Sequence, residues 1–184
     1  MSIEIKLTQG YMAIIDEIDG DLATLKWHAS VTRRKFQTFA RACRSPRIRG
    51  KQTSQTLSRV IGERMVGRQL DRREIVDHIS GDPLDNRRAN LRICTQQQNS
   101  WNRAAHKNNK TGYRGVCLVR ETYKSQIHVS GKQISIGYYK TPEAAAIAYN
   151  TVAKKLFGEF ARLNKVPNPE KYTVFIRESV LNAA

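Results

Sequence analysis

Between Val76 and Arg103 the chain places an Asp77-His78 pair, asparagines at 90 and 99, and the arginines Arg87, Arg88, Arg92 and Arg103 in one short stretch. A carboxylate is a hard oxygen ligand suited to Mg²⁺. An imidazole, with an ordinary pKa near neutrality, can take a proton from water, and guanidinium groups hold phosphate. Breaking a phosphodiester needs all three: an activated water, a cation for the developing charge, and positive side chains on the polyanion. The spacing predicts a strand ending in Asp77-His78, a polar turn signalled by Gly81-Asp82-Pro83, a return strand over 91–95, and a helix from Gln96 to about Ala105 capped by Thr95. Successive strand residues point to opposite faces, so the strand is expected to end or bulge between Asp77 and His78. Asp82, Asp85 and Asn86 read as turn residues rather than ligands, and Asn102 as the substitute ligand one helical turn beyond Asn99.

Composition points the same way. Lys and Arg number 32 against 16 acids, giving a formal charge of +16 and a pI near 10.2, which calls for a polyanionic partner. The charge is patterned: residues 26–51 carry nine Lys/Arg and no acid, whereas residues 1–25 carry five acids and one lysine. Arg33, Arg34, Lys35, Arg41, Arg44, Arg47, Arg49 and Lys51 in the former stretch are expected to track phosphates. Cys43, Cys94 and Cys117 stand apart without a C-x-x-C, excluding a zinc ribbon or disulfide framework and fitting a reduced, intracellular, cytoplasmic setting. No segment has the apolar length to cross a bilayer and no amphipathic basic helix suggests a membrane surface, so the reading is soluble and membrane-free.

Stepping outward along the chain, residues 3–15 read as two strands around Gln9-Gly10, 16–26 as helical, and 27–34 with 36–42 as a further strand pair. The stretch 44–51 reads as a basic loop and 54–63 as a short helix. His28 beside Trp27 reads as packing or surface, and Cys94 as a small core residue. Polar residues 106–112, including His106, form the expected linker. Beyond it come three strands, at 113–119, 124–129 and 132–139, and a helix opened by Thr141-Pro142-Glu143 and closed by Gly158. The fold class expected is α+β: residues 1–105 as one domain with its ββα core at about 74–105, residues 113–166 as a three-stranded sheet on one helix, and 167–184 as a tail.

The run from Val76 to Asn99 resembles the HNH nucleases of the ββα-metal group, in particular the phage and intron-encoded homing endonucleases. That resemblance implies that Asp77 and Asn99 hold a divalent metal, Mg²⁺ or Mn²⁺, that His78 is the general base, and that Asn90 braces the loop and orients His78. Ser58-Arg59 departs from it, because relatives often carry a histidine before that arginine. Farther on, Tyr113-Arg114-Gly115-Val116, Ile136 to Tyr149, and Lys155 to Gly158 with Leu163-Asn164 resemble the plant apetala and ethylene-response-factor DNA-binding domain. The resemblance implies a sheet laid in the major groove, with Arg114, Arg120, Lys124, Gln126, His128 and Lys132 contacting phosphates and base edges. Cys117 and Val119 stand where those domains commonly have arginine. The reading is a metal-dependent endonuclease of homing type acting on double-stranded DNA, nicking one strand if monomeric, with no protein partner implied and the oligomeric state open. The alternatives are a DNA-binding regulator with a silent nuclease scaffold, and an RNA-binding protein.

Overall fold

The computed structural model describes residues 1–34, 37–102 and 109–181. The fold is α+β, and the chain divides into two compact units, Met1–Asn99 and Ser100–Ala184.

In the first unit, β1 (Ser2–Lys6) and β2 (Met12–Asp16) pair antiparallel, with Ile3 opposite Ile15 and Ile5 opposite Ala13. Period-2 alternation turns Ile5, Ala13 and Ile15 into the core and leaves Glu4, Lys6 and Met12 outside. The stretch expected to be helical after β2 forms 3-10 turns over Glu17–Thr24, interrupted at Asp19 (φ −103°, ψ 15°) and seating Leu22 in the core. Two aspartates and a glycine in four residues favour local turns over a continuous helix. β3 (His28–Arg34) and β4 (Gln37–Arg44) pair antiparallel in a three-stranded sheet, whose third strand, Gln55–Thr56, pairs with Cys43 and Arg44 at the end of β4. The segment expected as a basic loop contains a miniature hairpin, β5 (Arg47–Ile48) with β6 (Lys51–Gln52). Its turn residues Arg49 and Gly50 both have positive φ, as a twisted two-residue turn demands. After β7 (Gln55–Thr56), α1 (Leu57–Val66) begins at Thr56, whose hydroxyl accepts the Arg59 N–H at 3.3 Å, and stops at Gly67 in the left-handed region.

Helix α1 buries Leu57 and Ile61 and fixes the strand that bears Asp77 and His78. Gly62 lies so close to β8 (Glu74–His78) that a Cβ there would stand 2.6 Å from Val76 Cγ2. The Arg59 guanidinium donates to the carbonyls of Leu70 and Glu74 and pairs with Glu63, so the residue following Ser58 ties helix to strand. β8 pairs antiparallel with β9 (Leu91–Thr95), in register from Glu74–Thr95 to His78–Leu91. Thr95 then caps α2 (Gln96–Trp101) reciprocally: its Oγ1 accepts the Gln98 N–H at 3.3 Å and Gln98 Oε1 accepts the Thr95 N–H at 2.8 Å, a capping box.

The second unit is a meander of β10 (Val116–Val119), β11 (Thr122–Val129) and β12 (Lys132–Tyr139), packed on α3 (Pro142–Phe157). Thr141 caps α3, and Ala145, Ala146, Ala148 and Ala153 are fully buried, so small side chains let helix and sheet approach closely. At Gly115, φ is +73° and a Cβ would fall 2.2 Å from the Tyr149 ring, so the chain needs glycine there. The tail contributes to this core: Val180 is buried, Val174 and Ile176 pack beside it in a run that ends in α4 (Glu178–Leu181), and the Tyr139 hydroxyl donates to Phe175 O. The unit begins at Ser100, inside the helix expected to belong wholly to the first domain, because Trp101 stacks on Phe157 at 4.5 Å with 12° between planes. Residues 106–108 of the expected linker lie outside the described residues.

Candidate active site

His78 is the last residue of β8, and its carbonyl accepts the Gly81 N–H at 2.8 Å, which turns the chain out of the ladder. Pairing runs without a bulge through both Asp77 and His78, so the strand ends there rather than distorting, and the two side chains leave on opposite faces. The following loop is folded on asparagines. Asn90 Oδ1 accepts the Ser80 N–H at 2.9 Å, its Nδ2 donates to Asp85 O at 2.7 Å, and its carbonyl accepts the Ile79 N–H at 2.9 Å. Asp82 and Asp85 behave as turn residues, accepting the backbone N–H groups of Leu84 and Arg87.

Asn86, 1% exposed, faces the His78 ring with Oδ1 3.3 Å from Nε2. Burial pushes the His78 pKa below the usual imidazole value, against the Asn86 hydrogen bond and the charges of Asp77, Asp82 and Asp85, which pull it up. The ring is therefore neutral at pH 7, the state a proton acceptor requires.

Asp77 is 7% exposed and sits directly across the hairpin from Arg92, whose Nε and Nη2 donate to Oδ2 at 3.0 and 2.8 Å. Asn99 lies on α2. The buried thiol of Cys94, across the hairpin from Ile75, has its pKa pushed up to about 11, first by burial and then by the Asp77 charge, while Arg92 and a hydrogen bond from the Asn99 backbone pull it down. Among the described residues no three His, Cys, Asp or Glu side chains group as a metal site. The donor set fits a hard cation that keeps most of its water, one carboxylate with amide oxygens, as Mg²⁺ is ordinarily held. A carboxylate has lone pairs enough for a guanidinium and a cation together.

The expected DNA contacts divide sharply. Arg88 is not a surface cation: its Nε and Nη2 reach the fully buried Asp19 at 2.8 and 3.0 Å, and its N–H donates to Asp16 Oδ2 at 2.7 Å. Arg114 lies before the sheet and not on it, its guanidinium donating to the carbonyls of Ser100 and Trp101 while Asn164 brackets its backbone. Lys132 shares the parity of Ile134 and Ile136, the side that packs on α3, at the hairpin turn. Arg87 pairs with Asp85 at 2.7 Å, and Arg44 lies 5.6 Å over the Trp27 ring with its Nε on Gln55. Arg33, Arg47, Arg49 and Arg120 are exposed. Lys124, Gln126 and His128 share the outer face of the sheet with Gln133, Ser135 and Tyr138, to which the strand register joins them. Arg34 ends β3, and Lys35 and Arg103 lie outside the described residues, as does His106. His28 is exposed, Cys94 is buried, and Asn102 is buried in the second unit with its carbonyl accepting from Arg162.

Sequence reasoning missed two partners. Arg92 was readable in principle, because folding the hairpin about its loop sets position 92 opposite 77. Asn86 left no such signal, since a buried asparagine in a polar loop looks like any turn residue.

A two-stranded hairpin whose first strand ends in Asp-His, a loop folded on asparagines and a capped helix directly after the second strand give the ββα order of elements. Residues 56–101 match the HNH endonuclease family. The chain is 42% identical over 92 residues to a protein named uncharacterized HNH endonuclease L560 from Acanthamoeba polyphaga mimivirus, covering 50% of this chain and 47% of that one. It is 35% identical over 89 residues to Protein 3.8 of Escherichia phage T7, covering 47% of this chain and 73% of that one. It thus spans about half the length of the mimivirus relative. No solved structure matches it. Residues 56–101 of the chain thus form an HNH endonuclease domain. No helix among the described residues is long and apolar enough to cross a membrane.

Proposed function

We propose that the chain is a site-directed, homing-type endonuclease that hydrolyses phosphodiester bonds of double-stranded DNA with a histidine base and one divalent metal, nicking one strand as a monomer. The observation that carries this reading is His78 at a strand end, one residue from a buried carboxylate, its ring nitrogen facing a buried amide oxygen. His78 takes the proton from a water aligned with the scissile P–O bond. The water oxygen bonds to phosphorus, and the 3′-oxygen leaves, giving 3′-hydroxyl and 5′-phosphate ends. Asn90 keeps the His78 loop closed through Ser80 and Asp85. Asp77 and Asn99 would hold Mg²⁺ or Mn²⁺, which supplies stabilisation of charge on the phosphoryl group and leaving oxygen. Arg33, Arg47 and Arg49 bind phosphates, and the outer face bearing Lys124, Gln126 and His128 contacts the duplex through a groove.

The Asp77–Arg92 ion pair favours a second reading, a DNA-binding regulator whose scaffold holds no metal, because Arg92 already neutralises the carboxylate. Incubating supercoiled plasmid carrying candidate sites with Mg²⁺ separates the two. The endonuclease converts it to open-circular DNA and His78→Ala does not. Tight binding without conversion by the wild type identifies the regulator.

A further inference from the structure

The hairpin β5–β6, between β4 and β7, stands on a well-tied base. Arg44 pairs with Gln55 at the end of the sheet, and its Nε donates to Gln55 Oε1 at 2.9 Å. Beyond that rung, the Thr53 N–H and hydroxyl both donate to Pro46 O, at 2.9 and 3.1 Å. The strands then pair Arg47 with Gln52 and Ile48 with Lys51, and the chain reverses at Arg49 (φ 49°) and Gly50 (φ 77°). Both turn residues lie in the left-handed region, where asparagine before glycine is the usual pair. An arginine at the first of them gives up turn preference and sets a charge at the tip.

Arg47, Arg49, Lys51 and Gln52 are exposed, and none of these side chains has a hydrogen bond or ion pair among the described residues. No Asp or Glu occurs from residue 22 to residue 62. An ordered hairpin of unpaired cations suits a polyanion, whose counterions it releases. Dimensions choose among polyanions. Two strands ~5 Å apart, with their side chains, fill a B-form major groove ~12 Å wide, whereas a minor groove ~6 Å wide excludes them. The major groove of an RNA helix is too narrow for side chains to read. From Pro46 to Gly50 the hairpin reaches ~13 Å, more than the ~8.5 Å depth of the DNA groove. Cross-strand register sets Arg47 and Gln52 on one face. Guanidinium and ammonium groups suit phosphate, while a glutamine amide, an acceptor beside a donor, matches the N6/N7 edge of adenine.

We propose that the β5–β6 hairpin is a finger laid in the major groove of duplex DNA, with Arg47, Arg49 and Lys51 reaching the phosphate walls and Gln52 reading an adenine edge. This role rests on the duplex binding proposed above and not on cleavage. The test is selection from a random-sequence duplex library by the full chain, in EDTA so that no strand is cut, followed by fluorescence anisotropy on the selected duplex. The wild type enriches a motif with an A·T pair whose preference falls ~5-fold or more in Gln52→Ala, the other positions being kept. Arg49→Gln and Lys51→Gln weaken every duplex alike, and each flattens the log–log salt dependence by about one phosphate. All three variants melt within ~3 °C of wild type, because the side chains they change are exposed and unpaired. A Gln52→Ala variant that selects the wild-type motif with no position relaxed overturns the proposal. So does a wild type that enriches no sequence, and so do unchanged salt slopes in both cation variants. A wild type that prefers structured RNA to every duplex at equal salt removes the DNA reading together with the finger. A wild type that selects DNA as expected yet cuts none with Mg²⁺ supports the finger and removes the nuclease reading instead.

Discussion

Replacing Asp19 by asparagine removes the charge at the centre of a buried ion cluster while keeping the shape. Asp19 is fully buried, and its carboxylate takes Arg88 at 2.8 and 3.0 Å and Arg64 at 3.3 Å, joining the turn after β2, helix α1 and the loop that holds His78. Removing one member of a buried ion pair costs about 3–5 kcal/mol. Here the arginine side chains are 31% and 35% exposed, so water can recover part of their charge, and Arg64 keeps Asp21 at 2.6 Å. The expected loss is therefore at the lower end, about 3 kcal/mol. In a unit of this size that lowers Tm by ~10 °C or more. Thermal and urea unfolding of the full chain, followed by Trp27 fluorescence in a Trp101→Phe background, measures it. The pH dependence adds a signature. Burial by itself would raise the Asp19 pKa, but the hydrogen bonds and charges of Arg88 and Arg64 together hold it below its ordinary 3.8. A depressed carboxylate contributes its stability fully above the unfolded pKa and loses it as pH falls through the folded value, so the gap between wild type and Asp19→Asn is constant near neutrality and narrows in acid, below about pH 4. A variant melting within 1 °C of wild type at pH 7, or a gap that widens in acid, would refute the reasoning.

Other expectations are independent of that cluster. Because burial lowers the His78 pKa and the base must be neutral, kcat/KM should fall on the acid side with a midpoint below the ordinary 6.5, measured by nicking rates across pH, whereas a midpoint above it contradicts the burial argument. Arg47→Gln and Lys124→Gln should each flatten the log–log salt dependence of DNA binding by about one phosphate's worth of slope, read by fluorescence anisotropy, and an unchanged slope removes that residue from the interface. Gly115→Ala should destabilise the second unit by about 3 kcal/mol through positive φ and overlap with the Tyr149 ring, and an unshifted melt would show that the ring gives way freely.

Features set by neighbours in the chain were legible before the structure. Thr95 and Gln98 make a capping box three residues apart, Thr141-Pro142 opens α3, and alternation in β1, β2 and β11 shows which residues face inward. Features set by distant partners were not. Arg88 and Arg47 look alike in a basic sequence; only the fold brings Asp19, far earlier in the chain, to Arg88 and leaves Arg47 in solvent. Arg114, which the resemblance to the plant DNA-binding domain implies is a DNA contact, donates to the carbonyls of Ser100 and Trp101. The first unit ends earlier than polarity suggested because Trp101 stacks on Phe157, a contact no local pattern encodes. Around the candidate site, Asp77, His78, Asn90 and Asn99 stand out by residue type and spacing, while Arg92 and Asn86 emerge only from cross-strand register and loop packing.

The most direct measurement maps the ends left on DNA of the cell that encodes the chain after incubation with Mg²⁺, comparing wild type with His78→Ala. The account predicts discrete sites bearing 3′-hydroxyl and 5′-phosphate ends with the wild type alone, and none when the metal is chelated. The same ends from His78→Ala, or none from a folded, DNA-bound wild type with Mg²⁺ or Mn²⁺, would contradict it.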